Sequence, residues 1–140
     1  MNTKDAFLWL LWQSYSVPFD FWRISLAIGT VALITIAVGW RGLLRLSFRS
    51  WCILASAYLV PFSILFWGAL MRYDGAENQE PLWHLYVVGV LLLLLLFASL
   101  LSIWRLAGSH LVALGILLPS VWLSLCAAFV AGMSLTNAWI

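Results

Sequence analysis

The stretch LWHLYVVGVLLLLLLFASLLSIW, residues 82–104, decides the fold. It holds no acid, lysine or arginine and carries an unbroken leucine run at 91–96. About 20 apolar residues in a helix cross the roughly 30 Å hydrocarbon core of a bilayer. Each leucine near the helix centre favours insertion by roughly 0.3–0.6 kcal/mol. The segment is therefore expected to be a transmembrane helix. Working outward, runs of similar length and character occupy 19–40, 51–71 and 111–133, joined by short polar connectors at 41–50, 72–81 and 105–110. Short connectors make neighbouring helices antiparallel. The expected fold is all-α: a polytopic membrane protein with one transmembrane domain over 1–140, an antiparallel four-helix transmembrane bundle and an N-terminal interfacial segment.

That segment, 6–12, is too short to span. After Lys4 it superficially resembles a signal peptide, but it lacks the length and the small-residue cleavage site. It is expected to lie along the outer interface, with Trp9 and Trp12 at headgroup depth, or to extend the first helix beyond Pro18.

Composition supports the same class. Of 140 residues 65% are hydrophobic and 9% charged, against roughly 45–50% and 25% in soluble domains. A chain this short cannot bury so much apolar surface within itself. The net charge of +2 and the dispersal of the basic residues exclude nucleic acid as a partner. Orientation follows from where the cations sit, because Lys and Arg are retained on the cytoplasmic side. Arg41, Arg45, Arg49 and Arg105 fall at one end, whereas Asp5, Asp20, Asp74, Glu77 and Glu80, with Lys4, Arg23 and Arg72, fall at the other. Both termini are thus expected outside, in the manner of a bacterial inner-membrane protein. Trp22 and Trp83 are read as outer anchors, and Trp40, Trp51 and Trp104 as inner ones. Trp122 does not fit a belt and is expected to pack against a neighbouring helix.

Candidate chemistry is sparse. No ionisable residue falls near the middle of an expected span, which argues against ion-coupled transport. His84 and His110 are expected at opposite ends and cannot share an iron or another metal; the i, i+4 spacing of Glu80 and His84 suits a surface pair at the outer rim. Asp20 and Arg23 stand at i, i+3 and would share a helix face. Cys52 and Cys126 differ by roughly 24 Å in expected depth, too far for a disulfide. No catalytic residue, metal site or cofactor is assigned, and the chain is read as non-enzymatic.

Three features carry the functional expectation. Arg41, Arg45, Arg49 and Arg105 form a basic inner rim for anionic lipid or a cytoplasmic protein partner. Ser120, Ser124, Ala128 and Gly132, at successive i+4 positions, form a small-residue stripe for helix packing, within the chain or against a second copy. Pro61 and Pro119 free the carbonyls of Ala57 and Gly115 and are candidate hinges or gates. The leading reading is a small membrane subunit, self-associating or coupling the bilayer to a cytoplasmic partner through the rim. An oligomeric pore, lined by Ser56, Tyr58, Ser63, Ser120 and Ser124, and a binder of lipid or another hydrophobic ligand are the alternatives.

Overall fold

The computed structural model describes residues 3–71, 81–106 and 108–136. Over these the chain is helical: α1 (Thr3–Asp20), α2 (Trp22–Val38), α3 (Trp40–Leu43), α4 (Phe48–Ser56), α5 (Leu59–Leu70), α6 (Pro81–Arg105) and α7 (His110–Thr136). The connector bearing Arg72, Asp74, Glu77 and Glu80 lies outside the described residues, and with it the rim pair of Glu80 and His84.

Three stretches are long and apolar enough to cross a membrane, Phe48–Leu70, Trp83–Arg105 and His110–Thr136. A fourth is added if α1 and α2, bent by 84° at their junction, are one broken span. The leucine-rich stretch forms α6 and shows what solvent the molecule needs. Leu93, Phe97 and Leu100 are 66%, 67% and 68% exposed, a surface that would be costly in water at roughly 25 cal/mol per Å². The protein is an all-α integral membrane protein.

The beginning of the chain departs from expectation. Instead of one helix over 19–40 preceded by a peripheral segment, two helices meet at Phe21, whose backbone (φ −101°, ψ 39°) leaves the helical region. In a continuous helix the Pro18 carbonyl would take the Trp22 amide. Here the Ser25 hydroxyl donates to it at 2.8 Å, and the chain turns. Nor is α1 an interfacial strip: Leu10 is fully buried and Ala6 is 2% exposed. They join Ile64, Leu65 and Ala69 of α5 and Cys126, Ala127, Val130 and Ala131 of α7 in the larger apolar core. An apolar stripe on a short helix can face lipid or protein equally well in sequence, and here it faces protein.

Helix α7 is the hub. Its neighbour α6 returns antiparallel, with Leu85 against Gly132 and the Ile103 carbonyl 2.6 Å from His110 Nδ1. The α4–α5 pair runs parallel to α7, since Ala57 pairs with Ser120 and Gly68 lies against Ala131. On the remaining side α2 crosses close to Gly115, where a Cβ would come 2.6 Å from Thr35 Oγ1 and 2.8 Å from the Ala32 carbonyl. Only glycine permits that approach, and in lipid such close backbone packing substitutes for a hydrophobic drive.

Candidate functional site

The arginine-bearing end is built by two connectors. Between α2 and α4 the chain makes the single turn α3 and then breaks at 44–47, and Ser47 starts α4 by accepting the Ser50 amide at 3.3 Å. Between α6 and α7 the turn holds Gly108 at φ 86°. The two connectors are tied where the Ser109 hydroxyl donates to the Gly42 carbonyl at 3.0 Å. His110 Nδ1, facing the Ile103 carbonyl, must be the protonated nitrogen of that contact, which leaves Nε2 uncommitted to it.

Two clefts flank this tie. One, of about 260 Å³, is lined by Arg45 and Arg105 with Ser47, Ser50 and Ser109. The other, of about 300 Å³, is lined by Arg41 and His110 among others. Gly108 and Ser109 border both. The structure therefore brings Arg41, Arg45 and Arg105 to one end. It does not put Arg41, Arg45 and Arg49 on one helix, because Arg41 lies in α3, Arg45 in the break at 44–47 and Arg49 in α4, and Arg49 is exposed outside both clefts. The acids among the described residues, Asp5 and Asp20, are both on α1. Ser47, Ser50, Ser109 and His110 were not singled out as parts of this rim by sequence. Their only signal is proximity to arginines in connectors, because nothing in the spacing says that two separate turns meet.

Compared with protein-family models, with curated proteins and with solved structures, the chain matches none. Its function must be read from its own geometry.

The small-residue stripe is spent within the chain. Ser120 and Ser124 are fully buried, the Ser124 hydroxyl donating to the Ser120 carbonyl at 2.8 Å. Ala128 packs against the larger core and Gly132 faces α6. The prolines are locked to each other's helices. Ala57, whose carbonyl Pro61 deprives of its usual amide, accepts the Val60 amide at 3.3 Å and the Ser120 hydroxyl at 2.9 Å. In return, the Tyr58 hydroxyl donates to the Ile116 carbonyl at 2.6 Å, within one turn of Pro119. Of the groups named as pore lining, Ser56 and Ser63 donate to carbonyls of their own helices, at Ile53 and Leu59, and Tyr58, Ser120 and Ser124 are engaged as above.

Helices α4–α7 carry no Asp, Glu, Lys, Arg or His near their middle, whereas Asp20 and Arg23 flank the junction of the bent α1–α2 pair. Trp122, near the midpoint of α7, donates from Nε1 to the Ser25 hydroxyl at 3.0 Å, which places the α1–α2 junction, with Asp20 and Arg23, halfway along the hub. Asp20 ends α1 and Arg23 stands in the first turn of α2, so the two do not share a helix; the Arg23 guanidinium lies over the Trp22 ring at 5.5 Å. Trp22 is thus a junction residue rather than an outer anchor. At the end away from the arginines, the Trp67 and His84 rings lie 6.0 Å apart, and Trp67 Nε1 and His84 Nδ1 are buried without a partner.

One larger groove, of about 690 Å³, opens between α1, α5 and α7 and is lined by side chains such as Leu8, Leu11, Phe62, Leu65 and Leu123. Two of its hydroxyls, Ser14 and Tyr58, are committed to backbone carbonyls. Among the described residues no group of three or more side chains could hold a metal ion. What the arrangement offers chemically is anion binding: exposed guanidinium groups beside serine hydroxyls, at the level where the apolar helices end.

Proposed function

We propose that the chain is a small, non-enzymatic subunit of a bacterial inner membrane that works through its arginine-bearing end. That end faces the cytoplasm, both termini lie outside, and the basic clefts couple anionic lipid at the bilayer surface to a soluble partner with an acidic surface. Self-association in the plane of the membrane accompanies this role, copies meeting through the exposed apolar faces of α2 and α6. The observation that carries the reading is the convergence of Arg45 and Arg105, from two different connectors, on one cleft, with Arg41 in the cleft beside it. Surface cations near anionic lipid gain about 1 kcal/mol each, and three of the chain's seven Lys and Arg residues border these two clefts.

The test is purification from its own membranes in mild detergent, with the mass of the particle measured for the natural chain and for a variant carrying Arg41→Gln, Arg45→Gln and Arg105→Gln. The expected result is an assembly larger than one chain whose soluble component is lost in the triple variant. A strict monomer with no associated protein, unchanged by the substitutions, would refute the reading. The groove between α1, α5 and α7 supports hydrophobic-ligand binding as a second reading, since it is large enough to hold part of an acyl chain or an apolar molecule.

A further inference from the structure

We infer that the two clefts beside Gly108 and Ser109 act as one receptor for a lipid headgroup carrying two phosphates joined by a short polyol bridge. The inference rests on the reading of the arginine-bearing end as the working surface, and it specifies what that surface selects. Each cleft brings an arginine beside a second nitrogen-bearing side chain: Arg45 with Arg105 in one, Arg41 with His110 in the other. A guanidinium presents a planar fork of N–H donors that matches two oxygens of one phosphate. The hydroxyls of Ser47 and Ser50, 3.0 Å apart, stand at the start of α4 in the first cleft, where the positive end of the helix dipole also favours an anion.

The clefts share a border. It consists of Gly108, without a side chain, and Ser109, whose hydroxyl is held by the Gly42 carbonyl. Ser109 ties that border to the other connector, and two phosphates of one headgroup, one in each cleft, would stand on either side of it. A headgroup whose phosphates enter a single cleft engages Arg45 and Arg105, or Arg41, but not all three. A headgroup with one phosphate does the same. A glycerol bridge, as in diphosphatidylglycerol, lets each phosphate enter its own cleft. The clefts lie at the end of α6 and the beginning of α7, where the apolar spans stop, so the acyl chains of such a lipid run down along the helices while the headgroup is held.

The experiment uses the full chain in phosphatidylcholine nanodiscs doped at matched charge with diphosphatidylglycerol or phosphatidylglycerol, with retained lipid counted by native mass spectrometry. Diphosphatidylglycerol is expected to be retained roughly 10-fold better, the difference that about 1.4 kcal/mol of added phosphate contact produces. Arg41→Gln or Arg45→Gln should each bring retention down to the phosphatidylglycerol level. Arg49→Gln, which removes the same charge from the same end but outside the clefts, should leave the ratio unchanged. Millimolar inorganic phosphate or glycerol bisphosphate should not displace the lipid. Equal retention of the two lipids, or an Arg49→Gln effect as large as that of Arg45→Gln, would overturn the inference while leaving a merely electrostatic coupling surface intact. Displacement by the soluble phosphates would overturn the assignment to lipid, and displacement of all lipid by an acidic protein would assign the clefts to that partner instead.

Discussion

A proline within a membrane helix leaves a carbonyl that no water reaches, and at Ala57 that carbonyl is met by a serine from another helix. The bond from Tyr58 to the Ile116 carbonyl, next to the one that Pro119 frees, ties the two proline-bearing spans together a second time. Side-chain hydrogen bonds between membrane helices average about 0.6 kcal/mol and reach about 1.7. Ser120→Ala is therefore expected to lower stability by about 0.6–1.7 kcal/mol. The cost should shrink when Pro61→Ala restores the amide that Ala57 lacks. Thermal unfolding of the four combinations in detergent checks this, and strictly additive losses would count against the shared role. Pro61, Pro119 and Ser120 are each visible in the sequence as positions of interest. Their pairing is not, because it depends on how α7 is rotated about its axis, which no local spacing sets.

At the scale of elements, the long helices were legible and the first span was not. The boundaries of α6 and α7, Pro81–Arg105 and His110–Thr136, fall close to the expected 82–104 and 111–133 because a bilayer fixes the length of an apolar run. The α4–α5 span keeps its expected extent despite a break at 57–58, since Pro61 acts within a run that stays apolar throughout. The α1–α2 junction was missed because nothing at Pro18 or Phe21 reveals that Ser25 and Trp122 hold a turn halfway along α7. Likewise Ala6, Leu10 and Val17 are compatible with an interfacial helix until α5 and α7 are seen to accept them. If α1 is a packed element of the core, Leu10→Ala should cost about 2–5 kcal/mol, as do large-to-small changes at buried sites. Trp12, 71% exposed, should tolerate alanine within about 0.5 kcal/mol, as surface positions do. Equal effects of the two changes, measured by unfolding in detergent, would return α1 to the membrane surface.

For the molecule as a whole, the distribution of charge carries the functional account. The four arginines at one end were legible because topology alone assigns connectors to sides. That three of them border paired clefts was not, since the Ser109 to Gly42 tie joins residues 67 apart in sequence. The bundle around them is occupied with its own packing: the serines of α7 are buried, the prolines are paired, and no cluster of metal-ligating groups exists among the described residues. The proposed role requires the clefts to face the cytoplasm. Sided labelling of Ser47→Cys, in a chain where Cys52→Ser removes the exposed natural thiol and Cys126 stays buried, tests this most directly. A membrane-impermeant maleimide should modify Ser47→Cys in inverted vesicles and not in right-side-out ones. Modification in right-side-out vesicles alone would place the arginines outside and contradict the account.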